Sequence, residues 1–242
     1  MSKEPHPHPK RYQTERWHRA GSGASLRNFV FGTSDGLVTV LAFVAGVSAS
    51  FASRSSVLLA GLAEMFAGAL SMGMGAFLGA RAERDLYRRE RAREEREIRE
   101  VPHLERDELR EIYRQKGFEG EQLEKLVDTL TADPKRWVDV MMAEELGLQP
   151  NEDPPLRAGL IVGTSYLVAA TIPLLPYVFL EWHPALVASI VLTAIALGVV
   201  GVAKARFTQR SSVLAAAETI VMGLVGVGVC YGIGKLAPQV IH

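Results

Sequence analysis

The stretch "FGTSDGLVTVLAFVAGVSAS", residues 31–50, is apolar or small throughout except for Asp35. A carboxylate at bilayer depth is expensive, so it needs a partner or a purpose. A second apolar run holds Glu64, with Met72 about two turns further along the same helix. An acid in this setting binds a proton or a cation, and competition between the two gives exchange. Oxygen ligands alone suit hard cations such as magnesium or calcium. A thioether shifts the preference to a first-row transition metal: Fe2+, or a neighbour such as Mn2+, Co2+ or Zn2+. Met72 by itself is more simply a packing residue. Asp35 and Glu64 are different, because intramembrane acids are usually functional.

A second set lies between the apolar runs. Glu94 and Glu97 are three apart on one helix face, as are Glu105 and Glu108 on the next helix; Met141, Met142 and Glu145 follow. Two antiparallel helices joined at Pro102 would bring the four glutamates together. The competing reading is strong, since "RRERAREEREIRE" is what a solvated helix laced with i,i+4 ion pairs looks like. The Met-Met pair in a polar helix suits either a soft ligand set or the core face of the segment.

Other chemistries have less support. "EVPH" (100–103) is formally Glu-x-x-His, but di-iron bundles use two such motifs and this one contains Pro102. His6 and His8 in the N-terminal arm could bind metal, although a solvated tail explains them as well. No nucleophile motif and no Walker-type phosphate loop is present, so the expectation is a protein that is not an enzyme. A formal net charge of zero gives no reason to invoke nucleic acid. The single cysteine, Cys230, excludes an intramolecular disulfide. The first 26 residues are polar and lack the apolar core of a cleavable signal.

The positioning elements follow from segregation of the residue types. Of the 27 acidic residues, those outside the Glu83–Asp153 window are only Glu4, Glu15, Asp35, Glu64, Glu181 and Glu218. The chain is thus a set of apolar spans with one charged insert. The spans are expected near 28–50, 55–80, 156–180, 184–204 and 211–236, each long enough to cross about 30 Å of hydrocarbon. This divides the chain into an arm (1–27), two spans (28–80), an acidic helical insert (81–153) and three spans with a short tail (154–242). Lys3, Lys10, Arg11, Arg16, Arg19 and Arg27 precede the first span, whereas the third loop, "EWHP", has no Lys or Arg. That asymmetry predicts a cytoplasmic N-terminus and insert and an external C-terminus. The second span should run unbroken into the insert until Pro102. Helices are then predicted over 105–116, closed by Gly117, over 120–131, and from Pro134 to a stop at Gly147. The insert is expected to be too short and too acidic for much of a core of its own. "GTS" occurs at 32–34 and 163–165, with Tyr166 in the place of Asp35, and "RSSVL" occurs at 54–58 and 210–214.

Together these residues resemble the vacuolar iron transporter family of plants and yeast and its bacterial relatives, over about residues 25–238. The "DGLVTVLAFVAG" of span one, Glu64 and Met72 of span two, and the two glutamate pairs followed by Met-Met-x-x-Glu carry the likeness. It implies an all-α membrane protein of five transmembrane helices with a cytoplasmic metal-binding insert between the second and third. It also implies proton-coupled export of ferrous iron by a homodimer, with no prosthetic group. Asp35, Glu64 and Met72 would form the membrane site; Glu94, Glu97, Glu105, Glu108, Met141, Met142 and Glu145 would collect metal. The membrane would be a vacuole's in a eukaryote and the plasma membrane in a prokaryote. The runner-up is a membrane-anchored metal sensor or buffer, for which the intramembrane acids would have no use.

Overall fold

A computed structural model of the chain describes residues 20–50, 53–150, 153–208 and 211–241. The basic arm up to Arg19, with His6 and His8, and Arg210 lie outside these residues. Helices account for nearly all of the described chain: α1 (Ala20–Ser50), α2 (Arg54–Glu100), α3 (Pro102–Gln115), α4 (Gly120–Thr131), α5 (Pro134–Glu144), α6 (Pro155–Phe179), α7 (Trp182–Thr208) and α8 (Ser212–Ile241). Five of them, α1, α2, α6, α7 and α8, are long and apolar enough to cross a membrane. The fold is an all-α membrane protein with five spans.

Helix α1 occupies the middle of the bundle and packs on α2, α6, α7 and α8. Its Val40, Leu41, Val44 and Ala45 are buried, and they meet Val57 and Met65 of α2 and Tyr166, Ala170 and Leu174 of α6 in one apolar core, while the buried Leu37 packs with Ala169 of α6 and Leu197 of α7. Small residues allow the close approach, as in membrane bundles generally, where packing rather than the hydrophobic effect holds helices together. A Cβ at Gly36 would stand 2.5 Å from the Tyr166 carbonyl oxygen, and one at Gly163 would stand 3.0 Å from that of Ala69. The two "GTS" segments therefore pack against each other: Gly32 abuts Val162 and Ser165. Residues 32–36 of α1, 162–166 of α6 and 68–73 of α2 form a single layer.

Gly36→Ala is expected to destabilise the bundle by about 1–3 kcal/mol, since the atom in the way is backbone and cannot rotate aside. Thermal unfolding in detergent, followed by loss of the monodisperse species, measures it. A melting temperature equal to the wild type's would show that α1 and α6 can slide apart without cost.

Polar groups at the end of the bundle away from the insert are paired, as an apolar surround demands. Ser48 and Tyr177 share a hydrogen bond of 2.9 Å, Arg54 Nε donates to the Tyr177 carbonyl at 2.8 Å, and Ser50 donates to the Gly234 carbonyl at 2.7 Å. Helix α6 runs unbroken through Pro173 and Pro176, and Ser189 of α7 donates to the Pro173 carbonyl at 2.7 Å.

Helix α2 is one element of 47 residues because nothing in "MGMGAFLGARAERD" breaks it. At 1.5 Å per residue it is about 70 Å long, more than twice the hydrocarbon thickness, so its second half stands clear of the bundle. Pro102 ends it and opens α3, where its missing N–H and fixed φ fit the first helical turn. Gly117 (φ +94°) and Gly147 (φ +63°) take the left-handed backbone that closes α3 and follows α5. One expectation fails. The insert does have a core of its own: Ile98, Leu109, Leu123, Val127, Trp137, Val138, Met141 and Met142 are buried together. The amphipathic faces of three short helices and the outer half of α2 suffice because they converge on one another.

Candidate metal sites

The insert builds its site from three helix ends. Arg91 of α2 binds Asp139 of α5 at 2.6 Å, Lys116 pairs with Glu144, and Asp133 caps α5 by accepting from the Lys135 N–H at 3.0 Å. These contacts bring Glu94 of α2, Glu105 in the first turn of α3 and Glu145 at the C-cap of α5 together, with one carboxylate oxygen of each within 4.8 Å of the others. Glu94 and Glu105 are only 2% and 5% exposed, and an oxygen of each is buried without a hydrogen-bond partner. Among the described residues no Lys or Arg forms an ion pair with any of the three. Arg93 is near, but its guanidinium is held by Glu97 at 3.1 Å and Glu90 at 3.8 Å.

The electrostatic consequence is direct. Burial, then repulsion from Glu145 and Glu105, pushes Glu94 up to about 7. Burial, then repulsion from Glu108, Glu97 and Glu145, does the same to Glu105. Burial and Glu108 raise Glu145 as well. Such groups hold protons near neutral pH unless a cation replaces them. The negative end of the α5 dipole beside Glu145 adds to the attraction. Three convergent carboxylates supply oxygen donors for a divalent ion.

The other candidates divide. Glu97 is partly buried and bonded to Arg93, and Glu108 is exposed; both form an outer ring whose charge acts on the inner three. The solvated-helix reading is therefore correct for the outer face of α2, where Arg81–Asp85 and Arg91–Glu95 are i,i+4 pairs. Met141 and Met142 are 0% and 1% exposed and pack with Ile98 and Leu109 in the insert core. Glu145 reaches the cluster from the residue that caps their helix.

In the bundle, Asp35 is partly buried on α1, and Thr39 one turn away donates to its Oδ1 at 3.4 Å. Glu64 is partly buried on α2, and Met72 packs against the central core. The glycine contacts put Asp35, beside Gly36, in the same layer as residues 68–73 of α2, the segment that holds Met72. Tyr166, which sequence reasoning left unassigned, is fully buried in that layer; its only signal was the second "GTS". Glu218 lies on the exposed face of α8.

A family model described as the VIT family matches residues 26–235, nearly the whole of the described chain. The chain belongs to the VIT family. It is 40% identical over 232 residues to vacuolar iron transporter 1 of Oryza sativa subsp. japonica, covering 95% of this chain and 89% of that protein. It is 40% identical over 220 residues to the vacuolar iron transporter of Centaurea cyanus, covering 90% of each. The VIT family likeness extends to the vacuolar iron transporter of Toxoplasma gondii, 32% identical over 93% of this chain and 78% of that one.

Proposed function

We propose that the protein carries ferrous iron out of the cytoplasm across the membrane in exchange for protons. Glu94, Glu105 and Glu145 collect the ion on the cytoplasmic side, with Glu97 and Glu108 adding field and Met141 and Met142 giving the site a compact apolar floor. Asp35 and Glu64 then take the ion or a proton in alternation, and Met72 in the same layer favours softer ions. The observation that carries this reading is the convergence of three carboxylates, two of them buried with orphaned oxygens, in a chain whose relatives bear the name of iron transporters. Manganese, cobalt and zinc fit the same donors.

The exposed stripe Leu59, Leu62, Phe66, Leu70, Met74 and Leu78 along α2 suits contact with a second copy as well as with lipid, so a homodimer accommodates the spans. The Lys and Arg residues of the N-terminal arm support a cytoplasmic N-terminus and insert. In a eukaryote the membrane is a vacuole's, in a prokaryote the cell's.

The test is ferrous iron flux in proteoliposomes under anaerobic conditions. An imposed pH gradient should drive iron toward the side that supplies protons, and iron flux should in turn move protons the other way. Iron movement indifferent to the gradient would leave a channel in place of an exchanger.

A further inference from the structure

Tyr166 is the part of the membrane layer that the transport reading leaves without a task. Its ring is 0% exposed, and its hydroxyl is buried with no hydrogen-bond partner. Its backbone rests on Gly36 of α1, next to Asp35. Its phenol fills the space that Gly68 leaves on α2, where a Cβ would stand 2.5 Å from the ring Cζ. Gly68 is one helical turn from Glu64, and another turn in the opposite direction reaches Met72. The carboxylates whose charge the hydroxyl feels are Glu64 of α2 first and Asp35 of α1 second. Thr39, which already donates to Asp35, lies beside it without the geometry of a hydrogen bond.

An orphaned buried hydroxyl is costly, because it has given up its bonds to water and gained none in return. A phenylalanine would fill the same slot without that cost, so the oxygen needs a partner that arrives in another state of the site. Acids that hold a metal are commonly oriented by hydrogen bonds from a surrounding shell, and removing such a donor typically weakens metal binding by about 10–100-fold.

We propose that Tyr166 is a positioning residue of the membrane site: its hydroxyl, seated against Gly68, donates to the Glu64 carboxylate and holds it in place for a divalent cation. The donor is neutral, so it orients the ligand without competing for the cation. The phenol also joins the acids of α1 and α2 through α6, the helix packed on both. This rests on the reading that Asp35 and Glu64 bind the transported ion.

The test uses the full chain in detergent with Glu94→Gln, Glu105→Gln and Glu145→Gln, so that the insert trio no longer contributes. Mn2+ binding is read from the loss of the free-ion paramagnetic signal. Adding Tyr166→Phe should weaken Mn2+ binding by about 10–100-fold without lowering the melting temperature. Tyr166→Leu, which also removes the ring, should lower both. In proteoliposomes made with the insert intact, Tyr166→Phe should raise KM for ferrous iron more than it lowers the maximal rate. Binding by Tyr166→Phe within twofold of its background overturns the proposal, and shows that the hydroxyl is satisfied by a water with no bearing on the ion. A melting temperature that falls as far as for Tyr166→Leu overturns it too, by making the role structural. Glu64→Gln and Asp35→Asn in the same background separate the two levels. If they bind Mn2+ as tightly as the background, the membrane-site reading itself fails and this proposal with it. If they lose binding while Tyr166→Phe keeps it, only the role of Tyr166 is wrong.

Discussion

Asp35→Asn is expected to reduce pH-driven ferrous iron flux to the level of empty vesicles. The substitution keeps size and polarity and still offers Thr39 an oxygen to bond, so the layer around Gly32, Gly36 and Tyr166 should pack as before. What it removes is a negative charge in a span that has no Lys or Arg at that depth to balance it. An uncompensated carboxylate in the hydrocarbon must be neutralised by a proton or a cation, and that mutual exclusion is the physical content of antiport. An amide does neither. Metal binding by the insert and the melting temperature of the bundle should stay at wild-type values, which separates lost transport from lost folding. Flux at the wild-type rate under the same gradient would remove Asp35 from the mechanism and leave Glu64 as the first candidate.

The second large effect belongs to the insert, and its sign can be worked out. Glu94 and Glu105 are raised to about 7 in the folded, metal-free state, against an ordinary carboxylate value of 4.5. Between those limits the fold holds protons that the unfolded chain has released. Stability without metal is therefore greatest below about pH 4.5, falls as the pH rises to about 7, and levels off above that. Metal inverts the trend, because a cation binds the deprotonated carboxylates and replaces the protons. A soluble 86–150 fragment, which carries its own apolar core, should be most stable at acidic pH when metal-free and most stable near pH 8 when loaded. At a hundredfold excess of ferrous iron or zinc over Kd, the gain is about 2.7 kcal/mol, or more than about 10 °C in a domain this size. Glu94→Gln with Glu105→Gln should flatten both profiles, raising metal-free stability at pH 8 while abolishing the metal effect. Calorimetry that finds no saturable binding at micromolar metal, or a metal-free fragment that gains stability from pH 5 to 8, would return the segment to a solvated charged helix.

The spans, the unbroken course of α2 and the helix ends at Pro102, Gly117 and Gly147 were legible in the sequence because each depends on local chemistry. Apolar length sets what can cross a bilayer, a proline cannot continue a helix, and a glycine takes the left-handed backbone that closes one. The candidate acids were legible for a related reason: Asp35 and Glu64 are conspicuous by the residues around them. What the sequence could not decide was which acids meet. In a run as rich in glutamate as 90–111, nearly every choice finds a partner three residues on, so spacing names a face without saying what that face opposes. Packing of α3 and α5 on α2 turned Glu94 and Glu105 inward with Glu145, left Glu97 to Arg93 and Glu108 to solvent, and sent Met141 and Met142 into the core. The same holds in the bundle. Periodicity shows that α1, α2 and α6 are apolar helices, but only their close approach through Gly36, Gly68 and Gly163 sets Tyr166 within the field of Glu64 and Asp35, because contacts between distant segments are chosen by the shapes of both surfaces at once.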